Sequence, residues 1–254
     1  MKALVTGASS GIGRDIAIEL SKRGYELILV ARNKELLEEV QKEVKTKSTI
    51  IVLDLSNKEN CIKLYDKIKK EDIDVLVNNA GFGEFGEFIN TSLDKELSMI
   101  DLNISALHIL TKLFLKDFVK KDSGYILNVA SSAAFNPGPL MACYYAGKSY
   151  VLRLTQSIYG ELVQRKSNVY IGVLCPGPVE TNFNKVAGVN FATKPLKSNY
   201  VARYAVDKMF KRKLTIVPGF LMKLCHLFSR LVPIKLLVRI TYRFQTKKEG
   251  NHEK

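Results

Sequence analysis

Ala3-Leu4-Val5-Thr6-Gly7-Ala8-Ser9-Ser10-Gly11-Ile12-Gly13 is the stretch that decides the fold. A short apolar run passes directly into a glycine loop, and a stretch with Ile16, Ala17 and Leu20 on one helical face follows. Glycines let the backbone turn sharply and approach a pyrophosphate, whose charge then sits among the unpaired N–H groups of a helix N-terminus. Strand, loop and helix in this order predict a dinucleotide cradle built from Gly7, Ser9, Ser10, Gly11, Ile12 and Gly13. The spacing is Gly-x-x-x-Gly-x-Gly rather than Gly-x-Gly-x-x-Gly. A glycine-rich turn without function is the competing reading, and the position right after an N-terminal strand weakens it.

Outward from this loop, short β-rich apolar runs alternate with longer amphipathic stretches, as in βα units laid on a parallel sheet. Strands are expected over Ala3 to Thr6, Leu27 to Val30, Thr49 to Leu53, Val75 to Asn78, Tyr125 to Val129, Val169 to Leu174 and Leu214 to Val217. The first and sixth are nearly continuous in apolar residues, which fits helices on both faces. Leu36 to Lys45 has helical spacing. The segments Asn136 to Pro139 and Cys175 to Pro178 follow strands, on the sheet edge where such folds bind ligands.

Strand two ends in Leu29-Val30-Ala31-Arg32, where an NAD-selective site usually has an acidic residue for the ribose 2′-hydroxyl. Arg32 suits a 2′-phosphate instead, and Ser9 offers a hydroxyl to the same group, although serines in such loops also serve as turn formers. An exposed arginine with no ligand is the plainer alternative. After strand three, Asp54, followed by Leu55, is read either as acceptor for the adenine amino group or as the N-cap of the next helix.

Tyr144-Tyr145-Ala146-Gly147-Lys148 places Tyr144 and Lys148 four residues apart on one helical face, with Tyr145 turned toward Ser149. A phenol with a pKa near ~10 needs about 1.4 kcal/mol of preferential phenolate stabilisation per unit of lowering, and a lysine ammonium supplies part of it. Thirteen residues before Tyr144, Asn128-Val129-Ala130-Ser131-Ser132 offers a serine hydroxyl to steady a substrate oxygen. The chemistry alone does not choose between the two serines.

Thr6 to Gly13, Asn78-Asn79-Ala80-Gly81, Asn103, the serine after strand five, Tyr144/Lys148 and Pro176-Gly177 together resemble the ordered motifs of the short-chain dehydrogenase/reductase family, over residues 1 to about 217. The resemblance implies a Rossmann-type, doubly wound α/β fold with a seven-stranded parallel sheet, and a homodimer or homotetramer. It implies a tetrad of Asn103, Ser131, Tyr144 and Lys148, with Ser131 preferred over Ser132 because the family's serine usually precedes its tyrosine by 13. In that scheme Tyr144 protonates a carbonyl oxygen, Ser131 holds it, Lys148 also binds the ribose, and Asn103 supports a water path. Asn79, Ala80 and Gly81 border the cofactor, and Pro176, Gly177 and Thr181 lie under the nicotinamide. The Asn78 to Gly81 segment is also read locally as an Asx-type turn. His108 is read as a packed or interface histidine rather than a base.

The expected function is an NADP(H)-dependent oxidoreductase that reduces a carbonyl or oxidises the matching alcohol. The alternative is a non-catalytic NADPH-binding regulator or scaffold. Phe135, Leu140, Met141, Cys143, Phe183 and Phe191 suggest an apolar, lipid-like substrate, and are equally read as core or dimer contacts. The four scattered cysteines suggest neither a disulfide framework nor a metal site. Together with a strand that starts at Ala3 and leaves no room for a signal sequence, they lead us to expect a cytoplasmic protein.

Of the net charge of +14, +10 falls between Arg203 and Lys254, which hold 13 Lys/Arg against 3 Asp/Glu. No nucleic-acid motif accompanies it. Residues 1–217 are read as the catalytic domain and 218–254 as a basic amphipathic helical extension, with Phe220, Leu224, Leu227, Phe228 and Leu231 at helical spacing. Pro233 opens a second helix bearing Lys235, Arg239 and Arg243. Lys223, Arg230, Lys235 and Arg239 interrupt any span of roughly 18 apolar residues. Docking on a partner subunit and lying on anionic lipid are both compatible with this pattern.

Overall fold

The computed structural model describes residues 1–183, 187–188, 195–229 and 231–246. The elements run β1 (Lys2–Thr6), α1 (Gly11–Lys22), β2 (Glu26–Ala31), α2 (Lys34–Glu43), β3 (Ser48–Val52), α3 (Lys58–Ile68) and β4 (Val75–Asn78). There follow α4 (Leu93–Ile100), a π-helical segment (Asp101–Ala106), α5 (Leu107–Lys121), β5 (Tyr125–Val129), a 3₁₀ turn (Ser132–Phe135), α6 (Ala142–Gln164) and β6 (Tyr170–Leu174). The remainder is β7 (Val179–Glu180), β8 (Leu196–Lys197), α7 (Ser198–Phe210), β9 (Thr215–Ile216), α8 (Phe220–Ser229) and α9 (Ile234–Thr246).

Among the described residues seven strands form one parallel sheet in the order β3-β2-β1-β4-β5-β6-β9. The chain winds outward from β1 in both directions, so the strand order reverses between β1 and β4. A crevice opens at the carboxyl ends of those strands, the usual ligand position in such sheets. The sequence reading of a doubly wound α/β sheet with helices on both faces therefore holds. One face packs against α1 and α7 through Ile16, Leu20, Val201 and Val206, and the other against α3 and α5 through Leu64, Leu110, Phe114 and Phe118. Every residue of β6 is buried, whereas the edge strand β3 leaves Thr49 and Val52 exposed.

Several boundaries differ from expectation. Strand three stops at Val52, two residues before Asp54, and α2 ends at Glu43 because Val44 adopts an extended conformation. The two-residue pair β7 and β8 is too short to leave a periodic signature. The helical run from Leu93 to Lys121 is long and apolar enough to cross a bilayer by length and composition, yet Leu110, Phe114 and Phe118 on it are buried in the core.

A buried polar ladder ties the sheet to its helices. Asn78 on β4 donates to Thr111 on α5 (3.0 Å) and to Asn128 on β5 (2.9 Å). Asn128 in turn donates to Thr155 on α6 (3.0 Å), whose hydroxyl donates to the Val151 carbonyl. The expected Asx-type turn at Asn78 is thus replaced by a cross-sheet hydrogen bond.

Candidate active site

The glycine loop builds the nucleotide end. Gly7 has φ +62°, and a side chain on Gly13 would run into the Asn79 amide and the Gly7 carbonyl, so α1 sits directly on the turn after β1. Asn79 fastens this turn by donating to the carbonyls of Thr6 and Gly7, both at 3.1 Å. Ser10 is the N-cap of α1 but makes no side-chain cap hydrogen bond, and no acidic residue occupies the first turn. By contrast α2, α3 and α4 are capped by the side chains of Asn33, Asn57 and Ser92. The N–H groups of α1 therefore face the cleft without a side-chain acceptor, which is the electrostatic setting a phosphate requires.

The cleft has a volume of about 400 Å³ and is lined along its nucleotide end by Gly7, Ser9, Ser10, Gly11, Ile12 and Arg32. The Arg32 side chain is 70% exposed and stands 3.8 Å from Asp54, a loose pair. Burial opposes ionisation of Asp54, but hydrogen bonds from the Ser56 N–H and hydroxyl, with the charge of Arg32, outweigh it and hold the carboxyl below its usual range. Asp54 is not the helix cap that the sequence left open as an alternative: that position belongs to Asn57, three residues on. Leu55 is buried and lines the same cleft.

At the other end lie Ser131, Tyr144 and Lys148. Tyr144 and Lys148 both face inward from α6, with the Lys148 ammonium 5.7 Å from the centre of the Tyr144 ring. It is Ser131 whose hydroxyl favours the ionised Tyr144 phenol, and the same oxygen accepts from the Ala133 N–H at 3.1 Å. Ser132 starts the 3₁₀ turn and donates its N–H to Pro176. Burial pushes the Tyr144 phenol well above its usual range, against the opposing effect of Ser131. Burial also lowers the Lys148 ammonium to about 8, and its Nζ donates to the Val129 carbonyl at 3.0 Å.

Asn103 is buried on the π-helical segment, just behind the cleft wall to which its neighbour Leu102 contributes. Its carboxamide clamps the Phe82 backbone, accepting from the N–H (3.1 Å) and donating to the carbonyl (2.8 Å). Gly81 leaves room for this, since a Cβ there would fall 2.6 Å from the Asn103 oxygen and 3.5 Å from Lys148 Nζ. Ala80 and Gly81 line the cleft. So do Pro176, Gly177 and Thr181; the Thr181 methyl rests on Gly11, and its hydroxyl accepts from the Phe183 N–H at 3.3 Å.

The apolar residues expected near the substrate divide between the cleft and the core. Met141 and Phe183 line the cleft, joined by Phe82, which the sequence reading did not single out, and by Tyr145, which it turned toward Ser149. Phe135 packs instead against a buried cluster around Val151, and Cys143 packs beside Met99. Leu140 is turned into the interior by a positive φ of 65°. Phe191 lies outside the described residues. His108 is exposed, with its Nδ1 2.7 Å from the Tyr150 hydroxyl, so it is not packed within the core. Tyr145 does not direct its hydroxyl to Ser149, which bonds the Tyr145 carbonyl; the phenol accepts from Gln245 of α9 at 2.6 Å. No local pattern marks a contact across 100 residues. Among the described residues no group of three or more His, Cys, Asp or Glu is placed to hold a metal ion.

A doubly wound sheet with an uncapped glycine turn at its switch point, and a Ser–Tyr–Lys set in the same cleft, defines a nicotinamide-dinucleotide oxidoreductase. The chain belongs to the short-chain dehydrogenase family, whose profile matches residues 1–190. It is 34% identical over 211 residues to the very-long-chain 3-oxoacyl-CoA reductase of Anas platyrhynchos, a match covering 78% of this chain and 66% of the duck protein. It is 33% identical to an uncharacterized oxidoreductase of Staphylococcus epidermidis, over 79% of this chain and 86% of that one. Among solved structures, a short-chain dehydrogenase from Sphingobium yanoikuyae in complex with NADPH superposes with a TM-score of 0.80 at 28% identity, covering 86% of this chain and 88% of that one. The chain is thus an oxidoreductase of the carbonyl–alcohol couple that uses NAD(P)(H).

Proposed function

We propose that this protein is an NADPH-preferring reductase of ketones carried on an apolar skeleton, with Tyr144 as the proton donor. The observation that carries this reading is the Tyr144 phenol, kept protonated by burial, in the cleft that also holds Ser131, Lys148 and the uncapped α1 terminus. The bound dinucleotide supplies the hydride. Tyr144 delivers its proton to the carbonyl oxygen, Ser131 donates a hydrogen bond to that oxygen, and the Lys148 ammonium stabilises the phenolate left behind. Asn103 holds the Phe82 backbone beside Lys148, on the side from which the tyrosine regains its proton.

Gly7, Ser9, Ser10, Gly11 and Ile12 would hold the pyrophosphate, with Gly13 letting α1 sit on their turn; Asp54 and Leu55 would hold the adenine, and Asn79, Ala80, Gly81, Pro176, Gly177 and Thr181 the nicotinamide half. The preference for NADPH rests on Arg32, which lines the nucleotide end of the cleft and has only a loose partner in Asp54. The apolar substrate rests on the Phe82, Met141, Tyr145 and Phe183 walls and on the acyl-thioester substrate in the duck relative's name. Self-association follows from Leu93, Leu97, Ile100 and Tyr150, apolar side chains exposed on α4 and α6.

The deciding experiment follows NADPH and NADH oxidation side by side over water-soluble ketones, 3-oxoacyl thioesters and oxosteroids. NADPH-driven reduction of the bulkier apolar members supports the proposal. Binding of NADPH without turnover of any carbonyl would favour the regulator.

A further inference from the structure

The helices α8 and α9 carry an outer surface that the chain itself does not cover. Along α9 the inward residues are Leu237, Thr241 and Gln245, so two of the three buried positions are polar. Outward, Lys235, Arg239 and Arg243 form one stripe at four-residue spacing, and Leu236, Ile240 and Phe244 form a second stripe beside it; all six are exposed. Phe220 and Leu231, at the start of α8 and in the turn before α9, are each 76% exposed, and Leu227, Phe228 and Ile234 are exposed between them. This is the reverse of a helix that has spent its apolar face on the core.

Charge decides what covers this surface. From Lys208 to Lys248 there are 11 basic residues and no Asp or Glu. A second copy docked about a two-fold axis would set this basic face against itself, with no carboxylates to pair with it. An anionic bilayer meets both stripes together: the apolar side chains enter the acyl boundary while the adjacent long cationic chains stay at the phosphates. The helices also adjoin the cleft. Gln245 of α9 donates to Tyr145, and a Cβ on Gly177 would fall 2.7 Å from the Met222 sulfur of α8; Tyr145 and Gly177 are both lining residues.

The geometry points to the outer surface of α8 and α9 as a docking site for an anionic lipid bilayer, seated beside the substrate cleft. This goes beyond the catalytic reading and does not depend on it. Where the catalytic reading also holds, a protein held there receives a lipophilic ketone from the bilayer rather than from water.

The test is sedimentation of the full chain with phosphatidylcholine vesicles, with and without phosphatidylglycerol, in the absence of substrate. The expected result is binding that requires the anionic lipid and weakens with salt. Each near-surface basic side chain contributes about 1 kcal/mol, or about fivefold, so the triple variant Lys235→Gln, Arg239→Gln, Arg243→Gln is expected to bind about 100-fold more weakly. Retained NADPH binding and an unchanged melting temperature show that this variant is folded. The variant Leu231→Ser, Ile234→Ser tests the apolar half and is expected to weaken binding as well. Equal binding to neutral and anionic vesicles, or no binding to either, overturns the proposal. Loss of the oligomer in these variants without any lipid binding assigns the surface to a second copy instead and overturns it too. Failure of the ketone panel leaves these outcomes unaffected.

Discussion

Lys148→Met tests whether the site is held at a cost to the fold. Burial brings the Lys148 ammonium from 10.5 to about 8. At about 1.4 kcal/mol per pH unit, that fall corresponds to a penalty of about 3 kcal/mol for keeping the charge inside. Below about pH 8 folded and unfolded states both carry the proton and the penalty is complete. Between about pH 8 and 10.5 the folded state has released it while the unfolded chain retains it, so stability rises with pH; above 10.5 the penalty is gone.

Methionine keeps the length without the charge but loses the 3.0 Å bond to the Val129 carbonyl, worth about 1 kcal/mol. The variant is therefore expected to be more stable at pH 7 by about 2 kcal/mol, or about 4–8 °C in Tm for a chain of this size. The gap closes by pH 10. Calorimetric or circular-dichroism melts of both proteins at the two pH values, without dinucleotide, measure it. A variant that is less stable at pH 7, or a difference that does not change with pH, refutes the reasoning.

Arg32→Asp is expected to reverse the cofactor preference, with NADPH binding weakened at least about tenfold, because a carboxylate repels the 2′-phosphate and accepts from a 2′-hydroxyl; KM for the two reduced dinucleotides measures this. Tyr144→Phe is expected to lower kcat by about 100-fold or more while leaving NADPH affinity, followed by fluorescence, close to the native value. Tyr145→Phe keeps turnover, and the opposite pattern would transfer the proton donor to Tyr145. Gln245→Ala removes the hydrogen bond that orients Tyr145 and is expected to change KM for bulky ketones more than kcat, seen in steady-state rates on small and large substrates.

What the sequence disclosed and what it hid follow from the range of the interactions involved. β1 and β6 were legible because strands covered on both faces must be apolar throughout, and the glycine turn because Gly7 and Gly13 answer to local backbone geometry. Tyr144 and Lys148 declared themselves through helical spacing. The placement of Asn103 on a π-helical segment left no trace, since one wide turn alters no periodicity detectably. Asp54 was misread as a possible cap because its true partner, Ser56, satisfies the same local pattern as a capped N–H. Phe135, Leu140 and Cys143 stayed open between substrate wall and core because sequence proximity to Tyr144 does not say which way a loop turns; the positive φ at Leu140 turns it inward. The inverted burial of α9 depends on contacts 100 residues away.

The ladder through Asn78, Thr111, Asn128 and Thr155 works as a key as well as an adhesive. Each link needs its two side chains within hydrogen-bond reach, so the set closes in one alignment of α5 and α6 with the strands beneath them. Thr155 lies seven residues, or two turns, beyond Lys148 on the same face of α6. Sliding α6 by a single residue would swing Tyr144 and Lys148 about 100° around the helix axis. It would also strand buried amides at about 1–3 kcal/mol each. Apolar substitutes of equal volume fill the same space but set no such penalty on a misaligned helix, so the accuracy with which Tyr144 and Lys148 enter the cleft is written into hydrogen bonds two to three turns away.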